Sequence, residues 1–591
     1  MEKSLLLKVC TLFLAISVIL GVSTSCTDHG TEMGSSEETS GATENEGNQT
    51  VESGSGSETD ESSSETDESS SEESSQEETN TLLGDEVEYA SSFTVSNVFD
   101  SNMVVQRNEY VRVWGWADES ENGKKVSATF MGKRADALIE NGEWEIVFRQ
   151  KFAANTSLGN DLVVFSGDDT KYVFENILIG DVFMVIGQSN VQYNMGAYLA
   201  NEPELKWTKE LLKEDSIIRY NYNSNTQSEG YPVRGTVDVC VDAINDFGWV
   251  KPDESNIDQL SAIGYFIAHQ IAELTENQIP VGISQFSANG RPLSVFLPNH
   301  LAEQYESDRL SKITVNINGE SEEREIYVDP NFSSVVEARY MYNHYLNPFE
   351  RMPIAGIVWY QGEAESKIEL SSVYVERFTA LIEYMRSTHN LVNKEFPVFF
   401  VEYPSVYKVE GSDNYLDTGR IRANIGMIPN SLSNSYVAVC SDLWDDTKND
   451  NNIHPYCKYE QAERVTDLMQ AVIYGTKTLD EATGPILESY ELSSNRKTLT
   501  LKFSNYGEGL TTCDGGTSVI GFCGLTNKND ITAKIDVTAT ITAPDTITIT
   551  FSKASCGVAY NCVAANFFGV DVNLCDSYGN PAKGIWIFVE P

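Results

Sequence analysis

The chain has 591 residues, of which 41% are hydrophobic and 10% aromatic, so it holds enough apolar material for several folded domains. It carries 41 Lys and Arg against 88 Asp and Glu, a formal net charge of −47 at pH 7. Nucleic acids and anionic membrane surfaces bind proteins through basic faces, so this composition argues against either as a partner.

Residues 1–26 have the pattern of an export signal. Two lysines precede an apolar stretch at residues 9–22, which has the length of a signal-peptide core and is short for a bilayer span. Small residues before Cys26 resemble the cleavage site of a bacterial lipoprotein, although Ser23 stands where that motif usually has Leu. We expect an extracellular bacterial protein that is anchored to the membrane by a lipid on Cys26. Cleavage without lipidation and an uncleaved anchor are the alternatives.

Residues 27–90 are a low-complexity acidic segment. Residues 27–88 contain 20 acidic residues and neither Lys nor Arg, and the heptad SETDESS occurs twice in tandem at residues 57–70. Like charges repel, and few apolar groups are present to offset the chain entropy that folding would cost. The segment is therefore predicted to be a disordered spacer.

Residues 91–180 predict an N-terminal β-domain. Short strand-like runs are separated by turn-forming sequences, a spacing that is typical of an antiparallel sandwich. The predicted strands cover residues 111–116, 126–130, 144–148 and 162–165.

Residues 181–483 predict an α/β domain, because apolar strand-like runs alternate with apolar positions at helical spacing. This alternation is typical of a mostly parallel sheet with helices on both faces, whose functional sites lie at the carboxyl ends of the strands. The predicted strands cover residues 182–186, 281–286, 354–360, 398–401 and 436–440, and helical spacing is found within residues 260–274, 378–385 and 462–473.

Residues 484–591 return to the two-residue period of β-strands, as in TLTLKF at 498–503 and TITITF at 546–551, and predict a C-terminal β-domain. Five of the ten cysteines lie in this part of the chain. Export would permit one or two disulfides there, with a pairing that the sequence does not define. No spacing typical of a zinc site is present, so no metal centre is expected.

Four of the predicted strand ends carry polar residues that could support chemistry. Ser189 follows the first strand in the sequence GQSN, and the sequences SANGRP (287–292) and WYQGE (359–363) follow the second and third. Acyl transfer requires a nucleophile, a base within hydrogen-bonding distance and donors for the oxyanion. Of the six histidines, only His454 follows a strand of the predicted sheet, in a loop rich in carboxylates. Ser189 and His454 are therefore the candidate nucleophile and base.

At this point the chain resembles the sialate O-acetylesterase family of SGNH-type carbohydrate esterases, over about residues 98–475. The resemblance is carried by GQSN (187–190), WYQGE (359–363) and IHP (453–455), and is supported by VFDSNMVVQR (98–107), VWGWA (113–117), SAIGYF (261–266) and IPVGIS (279–284).

The resemblance implies an SGNH-hydrolase-like α/β fold flanked by β-sandwich-like domains. It also implies a serine esterase that hydrolyses O-acetyl groups on carbohydrates without a metal or organic cofactor. By position, Ser189 would be the nucleophile and His454 the general base, and the oxyanion donors would be the backbone N–H of Ser189 together with Gly290 and Gln361. The predicted substrate-binding residues are Arg291, Asn190 and Glu363.

The sequence departs from the family pattern at three points. Residues 289–291 read Asn-Gly-Arg where the family commonly has Gly-Gly-Thr, and Val191 replaces the usual Met. Many SGNH enzymes have an Asp three residues before the catalytic His, where this chain has Asn451. Asp442 is our first choice for the triad acid and Asp450 the second, and a backbone carbonyl near Asn452 is the third possibility.

The sequence leaves the substrate open. Sialic acid carries a carboxylate, for which Arg291 is the candidate partner. Acetylated xylan is neutral and would need aromatic platforms instead, for which Trp359 and Tyr193 are candidates. A catalytically silent surface protein that binds glycans is the alternative from another functional class. A lipase or thioesterase is less expected, because no long apolar lid segment is visible.

Overall fold

The computed structural model describes residues 79–167, 170–202, 205–213, 216–223, 247–307, 309–317, 320–327, 336–337, 339, 341–365, 371–402, 418–443, 453–527, 534–561 and 572–590. The predicted export signal with Cys26 and nearly all of the predicted spacer lie outside these residues, as do Asp450, Asn451 and Asn452. Among the described residues, no helix is both long and apolar enough to span a bilayer.

The N-terminal part of the fold consists of two antiparallel sheets, as the spacing of its strand-like runs and turn sequences predicts. In strand β6, for example, Trp144, Ile146 and Phe148 are buried while the residues between them are more exposed. One sheet has the order β1-β3-β6 and the other β5-β4-β7-β8, and β2 joins the central sheet through β9. The strands are β1 (Thr94–Val95), β2 (Val104–Gln106), β3 (Tyr110–Trp116), β4 (Lys125–Phe130), β5 (Lys133–Leu138), β6 (Glu143–Lys151), β7 (Leu162–Ser166), β8 (Thr170–Phe174) and β9 (Leu178–Gly187).

The central sheet is mostly parallel, as predicted. Its order is β11-β10-β12-β9-β16-β17-β18, and only the pair β10–β11 is antiparallel. Its strands are β9, β10 (Ile218–Asn223), β11 (Phe247–Val250), β12 (Val281–Ser287), β16 (Gly356–Tyr360), β17 (Val398–Val401) and β18 (Ser435–Ala438). A small antiparallel sheet between β12 and β16 in the sequence, which we did not predict, contains β13 (Leu310–Ile317), β14 (Glu320–Tyr327) and β15 (Val336–Glu337).

Helices cover both faces of the central sheet. Neighbouring residues of a strand point to opposite faces, and β16 illustrates this. The Trp359 ring packs on Phe378 with 5.0 Å between ring centroids, whereas the Tyr360 hydroxyl accepts a hydrogen bond from Gln461 at 3.0 Å on the other face. The helices are α1 (Ser189–Gln192), α2 (Met195–Asn201), α3 (Ala262–Leu274), α4 (Asn299–Glu306), α5 (Tyr374–Thr388), α6 (Thr418–Gly426), α7 (Lys458–Met469) and α8 (Leu479–Ala482).

The C-terminal part is again all β and has its own hydrophobic core, built around residues such as Leu499, Ile547 and Ile585. It packs against the α/β part through polar contacts, among them a hydrogen bond from Asn561 Nδ2 to Glu402 Oε1 at 3.3 Å. Its strands are β19 (Ile486–Leu492), β20 (Thr498–Ser504), β21 (Thr511–Thr512), β22 (Ser518–Val519), β23 (Phe522–Leu525), β24 (Lys534–Ile535), β25 (Val537–Ala543), β26 (Thr546–Phe551), β27 (Gly557–Tyr560), β28 (Leu574–Cys575) and β29 (Ile585–Phe588). The cysteines that the structure describes are free thiols.

Candidate active site

The GQSN sequence forms a tight turn between β9 and α1. Gly187 is the last residue of β9, and a Cβ at this position would lie 2.1 Å from the carbonyl oxygen of Tyr360, so only glycine fits between the two strands. Ser189 is the first residue of α1, where a backbone N–H has no acceptor within the helix. Neither the hydroxyl nor the backbone N–H of Ser189 is hydrogen-bonded to a residue that the structure describes. Within the described part of the chain, both groups are available to a ligand.

The turns with the sequences GQSN, SANGRP and WYQGE meet at the carboxyl edge of the sheet. Gly187 pairs with Ser287 of β12 on one side and with Tyr360 of β16 on the other. The turns that follow these residues, which contain Ser189, Gly290 and Gln361, are therefore neighbours in space. This is the edge at which parallel sheets carry their functional sites.

Asn190 connects the nucleophile turn to the loop that carries His454. Its Nδ2 atom donates to Glu363 Oε1 at 2.6 Å and to the carbonyl oxygen of Ile453 at 3.1 Å, and its Oδ1 atom accepts from Lys458 Nζ at 2.7 Å. The side chain is 1% exposed. Both of its amide hydrogens are bound to protein, and they link the residue after Ser189 to the residue before His454. Substrate binding by Asn190 stays a prediction.

Glu363 supports the same turn. Its Oε2 atom accepts from Gln188 Nε2, and its Oε1 atom accepts from Asn190. Burial raises the pKa of Glu363, while these hydrogen bonds and the charge of Lys458 oppose the rise. Each of its two oxygens accepts a hydrogen bond from protein, and substrate binding by Glu363 stays a prediction.

His454 is partly buried, and this environment suits a general base. Burial lowers its pKa, and the positive charge of Lys458 lowers it further. The imidazole is therefore neutral at neutral pH and can accept a proton.

The acid of the triad stays a prediction. Asp442 lies in a short turn after β18, and its Oδ2 atom accepts from Arg464 Nη2 at 2.7 Å. Its charge is not among the causes that shift the pKa of His454. The structure thus places Asp442 in an ion pair with α7 and gives it no visible part in orienting His454. The other two candidates, Asp450 and a carbonyl near Asn452, lie outside the described residues.

Gly290 presents one of the predicted oxyanion donors. It is exposed in the turn after β12 and has a φ angle of +62°, a left-handed conformation that glycine adopts without strain. Its N–H donates to none of the acceptors that the structure describes. With the N–H of Ser189, it provides two unengaged backbone donors at the same edge of the sheet.

Gln361, the third predicted donor, is fully buried and already engaged. Its Nε2 atom donates to the carbonyl oxygen of Arg291 at 3.1 Å and to Glu365 Oε2 at 2.6 Å. Glu365 also accepts from the backbone N–H of Leu293, so these two residues hold the Gly290 turn in place. A direct role for Gln361 in binding the oxyanion stays a prediction.

Arg291 and Trp359 differ in whether their side chains are accessible to a substrate. Arg291 is partly buried, and its side chain forms neither an ion pair nor a hydrogen bond with any described residue. Trp359 is fully buried, and its Nε1 atom donates to the hydroxyl of Tyr374 at 3.0 Å. The interpretation of Trp359 as a sugar platform is therefore wrong, because its ring belongs to the core. Tyr193 is partly exposed, and its hydroxyl donates to the carbonyl oxygen of Ala197.

Two site residues were missed in the sequence. Glu365 lies two residues beyond WYQGE, and its pKa is raised to about 7 by burial and by the charge of Glu363. Lys458 lies four residues after His454 and is fully buried, with a pKa lowered by burial to about 8. Each lies within a few residues of a recognised motif. This nearness was the only feature of the sequence that could have indicated a role in the site. A charged residue near a motif is normally solvated, so we did not expect either to be buried.

Part of this chain is similar to known carbohydrate acetylesterases. Residues 179–454 match the family described as carbohydrate esterase, sialic acid-specific acetylesterase, a range that begins in β9 and ends at His454. Sialate O-acetylesterase of Mus musculus is 26% identical over 355 residues, which cover 56% of this chain and 62% of that protein. The enzyme of Homo sapiens is 26% identical over 341 residues, which cover 56% of this chain and 60% of that protein. The chain thus spans about three fifths of the length of these curated relatives.

Among solved structures, a carbohydrate acetylesterase from Xanthomonas citri superposes with a TM-score of 0.62 and 20% sequence identity, covering 84% of this chain and 99% of that chain. At this identity the likeness concerns the fold, and it confirms the central mostly parallel sheet with flanking β-domains. The resemblance drawn from the motifs is confirmed as well, because residues 179–454 match the model of the sialic acid-specific acetylesterase family and the relatives found are carbohydrate acetylesterases.

Proposed function

We propose that this protein is a serine esterase that removes O-acetyl groups from carbohydrates. The observation that carries the proposal is the side chain of Asn190, which joins the Ser189 turn to the residue before His454. In this proposal the nucleophile and the base lie at one edge of the sheet, beside the N–H groups of Ser189 and Gly290, which bind no acceptor among the described residues.

The chemistry follows from these groups. The neutral imidazole of His454 accepts the proton of the Ser189 hydroxyl as the oxygen attacks the acetyl carbon, and the N–H groups of Ser189 and Gly290 donate to the resulting oxyanion. The C–O bond to the sugar then breaks, and His454 returns the proton to the leaving sugar hydroxyl. His454 next deprotonates a water molecule that attacks the acetyl-enzyme, and acetate leaves as Ser189 regains its proton.

The covalent intermediate provides a direct test. The protein is incubated with an activated acetyl ester, quenched in acid within the first turnovers, digested and analysed by mass spectrometry. We expect an acetyl group on the peptide that contains Ser189. Acetylation elsewhere, or acetate release with no acetylated serine, would contradict the assignment. Glycan binding without turnover would favour the silent glycan-binding alternative.

We propose an O-acetylated sialic acid as the substrate, in preference to acetylated xylan. Arg291 supplies a guanidinium with no partner among the described residues, next to the Gly290 turn, and a sialate carboxylate is a suitable anion for it. A neutral xylan would need an aromatic platform, and Trp359, one of the two candidates for it, lies in the core. This weakens the case for xylan as the substrate.

The control for this proposal is a substrate whose sialate carboxylate has been converted to a neutral methyl ester. Acetate release is measured from O-acetyl sialic acid and from its methyl ester, with the wild type and with Arg291→Gln. A charge-assisted hydrogen bond of about 1.5–3 kcal/mol corresponds to a loss in kcat/KM of roughly 10–100-fold. We expect the wild type to lose this factor on the methyl ester and Arg291→Gln to show no preference. An unchanged preference in Arg291→Gln would exclude Arg291, and higher activity on acetyl-xylan would favour that polymer.

We also propose that the protein is exported and held at the cell surface by a lipid on Cys26. The support is the sequence pattern of residues 1–26 and the small residues before Cys26. Membrane fractions of cells that produce the wild type or Cys26→Ala would test this. Retention of the wild type in the membrane and release of the variant are expected, and equal retention of both would contradict lipidation.

A further inference from the structure

We propose that Lys458 is a positioning residue of this esterase site, which clamps the Ser189 turn against the His454 loop and keeps a positive charge beside His454. The inference rests on the proposed function and adds a group that the mechanism above does not use. Lys458 is the first residue of α7, and its side chain reaches back under the nucleophile turn.

Hydrogen bonds carry the first half of the proposal. Lys458 Nζ donates to Asn190 Oδ1 at 2.7 Å and to Gln461 Oε1 at 3.3 Å. Asn190 in turn donates to Glu363 and to the carbonyl oxygen of Ile453. The amide of Asn190 is therefore held at both ends, and its orientation determines where the residue before His454 lies. Without Lys458 the Oδ1 atom of Asn190 loses its donor, and we expect the contact between Nδ2 and the carbonyl oxygen of Ile453 to weaken.

The surroundings of Lys458 carry the second half. The side chain is fully buried, and Nζ lies 5.0 Å from the ring centroid of Tyr360 and 5.5 Å from that of Tyr193. Burying an ammonium group costs several kcal/mol, which a neutral side chain of similar size would avoid. The nearby charge that offsets this cost is Glu363, which is linked to Nζ through the amide of Asn190.

Among the residues that the structure describes, two thiols and a phenol lie near Lys458 besides Glu363, and none of the three offsets its charge. Burial raises the pKa of both neighbouring thiols, Cys440 and Cys457, so both are neutral. The phenol of Tyr360 is neutral for the same reason. His454 consequently lies in the field of the ammonium group, which disfavours the imidazolium form.

Three variants test the proposal. Lys458→Gln removes the charge and keeps a hydrogen-bond donor, and Lys458→Met removes both. Lys206→Met is the control, because Lys206 is a partly exposed lysine that pairs with Glu460 and Glu463 on α7. The pH dependence of kcat/KM is measured with an activated acetyl ester, because the position of its acid limb does not depend on the fraction of active enzyme.

We expect the acid limb to move to higher pH in both Lys458 variants, since removal of a nearby cation raises the pKa of His454. We expect kcat to fall by about 10–100-fold in Lys458→Met and by less in Lys458→Gln, because only the second can still bind Asn190. Lys206→Met should match the wild type. Activity that falls with the limb unmoved would assign Lys458 a structural role and overturn the proposal, as would failure of both variants to fold.

A second measurement separates this proposal from the proposed function. The titration of His454 is followed by the NMR signals of its imidazole ring, assigned by their loss in His454→Gln, and requires no turnover. If the midpoint of the His454 titration rises in Lys458→Met but the wild type releases no acetate, the proposed function fails. The effect of the Lys458 charge on the pKa of His454 then still stands. If the wild type is active and the midpoint is the same in Lys458→Met, the inference about Lys458 fails alone.

Discussion

Glu402 makes the stability of this protein depend on pH. It follows β17 at the carboxyl edge of the sheet and is fully buried against the C-terminal β-domain. Asn561 donates to its Oε1 atom at 3.3 Å, while Oε2 has no hydrogen bond to a described residue. Burial raises the pKa of Glu402 from 4.5 to about 8, although the charges of Arg422 and Lys583 oppose the rise.

The magnitude follows from this pKa. In the unfolded chain Glu402 ionises near pH 4.5, whereas in the folded protein it keeps its proton up to about pH 8. Its contribution to stability is therefore present in full below pH 4.5 and is lost as the pH rises to about 8. Each pH unit within this window removes about 1.4 kcal/mol from the free energy of unfolding. Between pH 5.5 and 8 the loss is about 3 kcal/mol.

Glu402→Gln should remove this dependence. Glutamine has the shape of a protonated glutamate, and its side-chain oxygen can still accept from Asn561. Urea unfolding followed by tryptophan fluorescence at pH 5.5 and pH 8 gives the free energy of each protein. We expect the variant to gain about 3 kcal/mol over the wild type on going from the lower to the higher pH.

The control is Glu395→Gln, because Glu395 is 67% exposed and pairs with Arg386 close to the same strand. Its pH dependence should follow that of the wild type. A difference between Glu402→Gln and the wild type that stays constant from pH 5.5 to 8 would refute the reasoning, since it would show that Glu402 has the same charge in the folded and unfolded states.

Three further predictions concern the active site. The acid limb of kcat/KM should lie below pH 6.5, the ordinary pKa of histidine, because burial and Lys458 lower the pKa of His454. A limb above pH 6.5 would show that a carboxylate dominates the surroundings of His454. Asp442→Asn should lower kcat by less than tenfold, because Asp442 pairs with Arg464, and a loss near 10⁴-fold would identify Asp442 as the triad acid. Gln361→Ala should lower kcat by about 100-fold or more, because the Gly290 turn loses its support; a kcat within twofold of the wild type would contradict this role.

The fold could be predicted from the sequence where one periodicity dominates. Continuous apolar runs such as residues 182–186 became parallel strands buried on both faces, and the alternation TITITF became β26. The hairpin β13–β14 was missed because it lies outside the main sheet and is rich in charged residues, so no apolar face marks it. Strand β2 was missed because three residues are too few to show a period.

The site could be predicted only as far as residue type and strand ends define it. The neighbouring positions of Ser189, Gly290 and Gln361 follow from the parallel register, which the apolar strands specify. The direction of a side chain does not follow from its position in the chain. Neighbouring residues of a strand point to opposite faces, and helices cover both faces at β16, so the Trp359 ring packs on Phe378 inside the core. Asn190 and Asp442 each have a partner on α7, Lys458 and Arg464, which lie more than twenty residues away in the sequence.

The measurement that tests the central claim most directly is acetate release from O-acetyl sialic acid by the wild type, by Ser189→Ala and by Ser431→Ala. Ser431 is an exposed serine in the turn before β18 and serves as the matched control. The account predicts equal release by the wild type and Ser431→Ala, and a loss of roughly 10³-fold or more in Ser189→Ala. Undiminished release by a folded Ser189→Ala would contradict the account.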